Sequence, residues 1–344
     1  MSISATKNET LAAKGQQARQ PHWQTLLFWA AVVALFALAI AMRLYHLSLP
    51  FDRDSYDEGV YWQSLRAMGA GHALYSDIFY SQPPFFLLST YPLYALFGAS
   101  LWSARLGIAV VSLFGLVGAL LLGKVLSGRL GALAALLLAV VDPLFLAQSQ
   151  TIQAEASSVA FSLLAIGLAF YWWKYPLGRR GLLLAILTGV TVALSIMCKL
   201  LGVALLVPVV LLMAARLWLG VATDQGGGQV SVPRPYHTPA SPRHSRIVGA
   251  TLAVALVRRP GMSYLSVMAG IGAFLLTMLL LILPFVGSWQ AMWSGVVAFH
   301  TGAGKLLSGN SQLGQSGNTF KLEAALATLL TLAALYGSVI ALLR

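Results

Sequence analysis

Half of the chain's ten carboxylates sit in one short segment, and their surroundings are unusual. Asp52-Arg53-Asp54-Ser55-Tyr56-Asp57-Glu58-Gly59 follows directly on a long apolar run, with Asp77 a little further on. Acids beside a membrane have two uses. They are solvated loop charge, or they supply a base at the rim of a lipid-accessible cavity, where like charges and low dielectric raise one pKa. A helix over 54–68 would place Asp54, Asp57, Glu58 and Tyr61 on one face. Glu155, in Gln150-Thr151-Ile152-Gln153-Ala154-Glu155, opens a second apolar run, and helical spacing would align it with Gln148 and Thr151. At membrane depth such a glutamate is a functional candidate; just outside the hydrocarbon it is a boundary residue. Lys199 falls in a short loop between two apolar runs, where snorkelling to headgroups is its plain alternative. His300, in Ala298-Phe299-His300-Thr301-Gly302, is a metal ligand or a structural histidine among aromatics. Asp142-Pro143 ends an apolar run, which fits a turn or cap.

The elements carrying these residues are membrane spans. The 344 residues are 58% hydrophobic and 9% charged, with a mean hydropathy of +0.78. Soluble domains carry about 25% charged residues, so a globule of this composition could not cover its surface. About 20 apolar residues cross a ~30 Å hydrocarbon core. On that measure, spans are expected near 25–47, 104–123, 130–147, 156–173, 181–197, 201–219, 263–285 and 323–343.

Between these spans, residues 1–24 read as a disordered tail. Residues 48–84 form a first loop whose charges alternate with Tyr56, Tyr61, Trp62, Tyr75, Phe79 and Tyr80, a mixture suited to short interfacial helices. The apolar stretch 84–98 is below spanning length and reads as interfacial or re-entrant. A Gly- and Pro-rich segment at 220–260 reads as a flexible linker, and 286–322 as a further loop.

Charge then sets an orientation. With the N-terminus cytoplasmic, fifteen basic residues and two acids lie on the inside, against seven basic residues and eight acids outside. The net charge of +12 is thereby explained without nucleic acid. The single Cys198 excludes a disulfide framework and a cysteine metal site.

The order of these features resembles the C-type (GT-C) membrane glycosyltransferases: an apolar span, an exterior Asp57-Glu58-Gly59, then Gln82-Pro83-Pro84-Phe85-Phe86, then Arg105-Leu106-Gly107 opening the next span. It is most similar to the family 39-like group of protein O-mannosyltransferases and aminoarabinose transferases, over about 25–340. The resemblance implies an all-α polytopic bundle of about eight spans, in the plasma (inner) membrane, with its active site at the extracytoplasmic face. It implies transfer of a sugar from a polyprenyl-phosphate donor to an acceptor hydroxyl on protein, lipid or glycan. Asp57 is then the base, with Glu58 beside it and Glu155 at the family's second acidic position, where Asp is usual. A hydroxyl must lose its proton as it attacks the anomeric carbon, and general-base help is worth roughly 10²–10⁴-fold. The lipid phosphate is the leaving group, so no enzyme nucleophile is needed.

Relatives carry an acid and a lysine before the prolines, where they bind metal and donor phosphate; here Ser81 and Gln82 stand there. Phosphate recognition therefore falls to Lys199, Arg105 and Lys305. A divalent metal is the one cofactor the resemblance allows, with His300 as its candidate ligand. Relatives commonly continue with further spans, so the chain reads as a fragment or a minimal form. Two other classes fit parts of the pattern. A secondary transporter would place its charges at the midplane of duplicated, broken helices, and a non-catalytic assembly subunit would keep the fold without the charges.

Overall fold

A computed structural model describes residues 22–45, 47–51, 56–225 and 261–300. Among these the protein is a helical bundle with no strand, only an isolated bridge between Leu74 and Ile78. Helix α1 is His22–Leu44, α2 Tyr56–Gly69, α3 Phe85–Leu96, α4 Leu101–Val141 and α5 Pro143–Ser149. Then follow α6 Ala154–Lys174, α7 Gly178–Cys198, α8 Leu206–Gln225 after a 3₁₀ turn at Leu200–Leu205, and α9 Gly261–Ile282. A 3₁₀ segment (Leu283–Ser288), a short helix α10 (Trp289–Trp293) and a π turn (Ser294–Ala298) close the described chain.

Among the described residues, six helical stretches are long and apolar enough to cross a membrane. The longest, α4, is two spans joined by a reversal: Ser127 and Gly128 leave helical geometry, and Gly128 has φ +66°. A Cβ on Gly123 would fall 2.2 Å from the Gly131 carbonyl oxygen. In a straight helix, eight residues would separate the two by about 12 Å, so the arms run back along each other. Seven of the eight expected spans therefore fall on described residues; the eighth, 323–343, lies outside them, as do 1–21 of the expected tail and 226–260 of the linker, whereas His22 to Gln24 already belong to α1 and the expected 286–322 loop is helical where it is described. Helix α3, at 12 residues, is too short to span and lies against the first arm of α4 with Phe86, Leu87, Thr90 and Tyr94 buried.

The core is built by close approach. The first arm of α4 packs on α6, α6 on α7, and α7 on α9. At the α4–α6 contact a Cβ on Gly118 would sit 2.3 Å from the backbone of Leu163 and Leu164. Small residues let membrane helices gain dispersion contacts where no hydrophobic force distinguishes neighbour from lipid.

The bundle sorts charge by end. Alternating spans bring the described carboxylates Asp57, Glu58, Asp77, Asp142 and Glu155 to one end, hereafter the acidic end. Lys124, Arg129, Lys174, Arg179, Arg180 and Arg216 lie at the other, the basic end.

Gly118→Val is expected to lower stability by about 1–3 kcal/mol through overpacking against the α6 backbone. A melting transition in detergent unchanged from the parent protein would show that the two helices do not meet there.

Candidate functional site

The acidic end is organised around a buried ion pair. Glu58 is fully buried and Arg105, in the first turns of α4, is 3% exposed. Arg105 Nε donates to Glu58 Oε1 at 2.7 Å and Nη2 to Oε2 at 2.8 Å, a bidentate fork. Its Nη1 donates to the carbonyls of Leu47 (3.2 Å) and Leu49 (2.5 Å) in the segment leaving α1. Glu58 Oε1 also accepts from the Ile152 backbone N–H at 2.9 Å. One carboxylate and one guanidinium thus tie together α2, α4, the end of the first span and the segment before α6. Two buried charges are tolerable because they pair bidentately and further hydrogen bonds satisfy most of what remains.

This geometry corrects the roles expected for both residues. Glu58 is held by three donors and sealed from solvent, so it is not placed to take a proton from an incoming hydroxyl. Arg105 spends its donors on Glu58 and two carbonyls, so it is not placed to bind a phosphate. Both position their neighbours.

Asp57, one residue before Glu58, is exposed. Successive helical residues point about 100° apart, so anchoring Glu58 inward turns Asp57 outward. The single shared face expected for the two acids is not what forms. Asp54 lies outside the described residues.

Glu155 stands in the first turn of α6 and pairs with Lys199. Both are part-buried, with side chains 31% and 19% exposed. Lys199 is extended (φ −153°, ψ 135°) between α7 and the 3₁₀ turn, which aims its amine across to α6. The helical face expected for Gln148, Thr151 and Glu155 is absent. Helix α5 ends at Ser149, and α6 begins only after Gln153 in β conformation. Between them the Ile152 N–H serves Glu58 rather than a helix, and Gln150 Nε2 donates to the Met42 carbonyl at 2.6 Å. Asp142 is the cap it was expected to be, accepting from Phe145 N–H at 2.7 Å.

Tyr61 is buried on α2, one turn after Glu58. Its ring lies edge-on to Phe86 (5.0 Å) and Tyr80 (6.1 Å). Burial first, and then the charges of Asp57 and Glu155, push its phenol well above the ordinary range. A phenol so raised keeps its proton at neutral pH. It can donate a hydrogen bond but is no base.

Opposite lies the proline motif. Gln82, Pro83 and Pro84 are buried, and Pro84 precedes the first turn of α3. Tyr75, left-handed at φ +69°, donates its hydroxyl to the Gln82 carbonyl at 2.7 Å. A non-glycine residue there costs about 1–3 kcal/mol and persists only where its surroundings enforce it. His300 places Nε2 2.8 Å from the Ser81 carbonyl oxygen, and the neighbouring Phe299 meets Phe79 edge-on at 5.4 Å. A cavity of about 500 Å³ opens between the end of α1 and α5, lined by Met42, Tyr45, Leu146, Ala147 and Gln150 among others.

Among the described residues no set of metal ligands gathers around His300. One histidine ring nitrogen at a carbonyl is a tether, and no three His, Cys, Asp or Glu side chains gather among the described residues. Ser81 and Gln82 add no charge. Lys305 lies outside the described residues.

Sequence reasoning passed over Arg43. It is 1% exposed near the end of α1, donates from Nε to Ser112 Oγ (2.7 Å) and lies over the Phe145 ring. An arginine inside an apolar span was the available signal.

All-helical architecture and stacked apolar spans, with acids gathered at one end, define a polytopic all-α membrane protein. The family model described as dolichyl-phosphate-mannose-protein mannosyltransferase matches residues 33–231, more than half of the chain, which spans α1 to α8 and holds Asp57, Glu58, Arg105, Glu155 and Lys199. The chain belongs to that family and is a membrane glycosyltransferase. No curated protein and no solved structure matches it.

Removing either partner of the Glu58–Arg105 pair strands a buried charge. Glu58→Gln and Arg105→Met are each expected to cost about 3–5 kcal/mol, and the double replacement less than the sum. Denaturation in detergent reads this directly; single-variant losses below ~1 kcal/mol would mean the pair is not the anchor described.

Proposed function

We propose that the protein transfers mannose from a polyprenyl-phosphate carrier to a hydroxyl of an acceptor protein, at the extracytoplasmic face, with Asp57 as general base. The observation that carries this reading is the Glu155–Lys199 ion pair in the first turn of α6, at the same end of the bundle as the exposed Asp57 in the first turn of α2. The family's description supplies the mannosyl donor and the protein acceptor. The excess of basic residues at the other end supports the orientation, since basic residues concentrate on the cytoplasmic side.

The reaction is a single displacement. The acceptor oxygen bonds to the anomeric carbon as the bond from that carbon to the phosphate oxygen breaks, and configuration inverts. Polyprenyl phosphate leaves with the bonding electrons, and the hydroxyl proton passes to the exposed Asp57. Lys199 then has a task in balancing the negative charge that develops on the leaving phosphate, in exchange for its contact with Glu155. A part-buried ammonium stabilises such charge more than a solvated one does. The apolar hollow between α1 and α5 suits the first isoprenoid units, because it lies at the same end of the bundle. No step is routed through a metal.

Asp57→Asn should lower transfer in membranes by at least 10²-fold while leaving the melting temperature within about a degree, since Asp57 is exposed and outside the Glu58–Arg105 clamp. The assay follows radiolabelled mannose moving from polyprenyl-phosphate mannose into acceptor peptide. Full transfer by a folded Asp57→Asn variant would refute the assignment.

A further inference from the structure

The two cations at the α4 reversal face rings rather than acids. Lys124 Nζ lies 5.6 Å from the Trp29 ring centroid and 5.8 Å from that of Phe28. Arg129, just past the reversal, holds its guanidinium 5.8 Å from the same Phe28 ring, and its Nη2 donates to Thr25 Oγ1 at 2.9 Å. The ion pairs among the described residues are Glu58–Arg105 and Glu155–Lys199, both at the acidic end. Neither Lys124 nor Arg129 has a carboxylate beside it, and the remaining Arg129 N–H groups meet no protein acceptor among the described residues. Both side chains are half-buried, hence oriented yet reachable. A ring face satisfies a cation only in part.

We propose that Lys124, Arg129 and Thr25, set around Phe28 and Trp29, form a binding site for the phosphate of an anionic phospholipid headgroup. Two fixed cations and a hydroxyl beside one ring match an anion that accepts several hydrogen bonds at once. The surroundings decide between a lipid and a soluble phosphate. Directly beside the cations, Leu26, Leu27 and Trp29 on α1 and Leu130 on α4 are 50–81% exposed. Only acyl chains cover such a surface in a membrane, so a ligand touching both must carry a phosphate on an apolar tail. Basic pockets between helices at a membrane surface recognise anionic headgroups in this way. The site lies at the basic end, a bundle length from the acidic site, and does not depend on the glycosyl-transfer reading.

The test uses the purified full chain in neutral detergent, with melting temperature and native mass spectrometry as readouts. Phosphatidylglycerol added to the micelles should raise the transition by several degrees and remain as a retained adduct, while phosphatidylcholine should do neither. Lys124→Gln with Arg129→Gln should remove the phosphatidylglycerol shift and weaken its retention at least tenfold. Arg179→Gln with Arg180→Gln, altering exposed cations at the same end, should leave both intact. Should the first double variant fold poorly, Lys124→Arg with Arg129→Lys is expected to keep the shift. Equal effects of the two lipids, a phosphatidylglycerol shift surviving in Lys124→Gln/Arg129→Gln, or the same shift from inorganic phosphate alone would each overturn the proposal.

Discussion

The buried bond between Glu58 and Arg105 sets the geometry on which the acidic end depends. Four stretches of chain that are remote in sequence meet at these two side chains, through two carbonyls, one backbone N–H and a two-pronged salt bridge. Such a pair gives little net stability over an apolar alternative. Its contribution is register. It fixes which residue of α2 faces inward, and so which faces outward. Because Glu58 is held on one side by Arg105 and on the other by the Ile152 N–H, it spaces the α2 helix from the start of α6. Asp57 and Glu155 are the side chains that this spacing aims.

The division of labour between adjacent acids follows from desolvation. A carboxylate held by three donors and closed to solvent lacks a route for a proton, whereas its neighbour Asp57 is open to solvent. Two residues that look equivalent as letters become a buried anchor and an exposed acid through a rotation of about 100°. The same economy appears at Tyr61. Burial, more than the charges nearby, holds its hydroxyl in the protonated form.

Much of this was legible beforehand, for physical reasons that differ by element. The spans were readable because lipid demands long apolar runs, and the reversal in α4 because Lys124 to Arg129 interrupts one. The sorting of charge by end followed from the rule that orients such chains. The role of Asp142 was local, and so readable too. What escaped was non-local or unmarked. Arg105 lies 47 residues from Glu58, and no spacing rule connects them. The break between α5 and α6 carries neither Pro nor Gly within Gln150 to Gln153. It exists because Ile152 N–H is drawn to Glu58, a contact spanning 94 residues. Lys199 was placed near the site, but its contact with Glu155 depends on the extended backbone after α7.

The most direct measurement is of the spacing itself. Spin labels at Tyr56→Cys and Gln153→Cys, in a Cys198→Ser background, flank the two acid-bearing segments without touching Asp57, Glu58 or Glu155. A single narrow distance distribution in that protein, broadening once Glu58→Gln is added, is the result expected if the clamp fixes the site. A distribution that is broad from the start, or one indifferent to loss of the Glu58 charge, would contradict it.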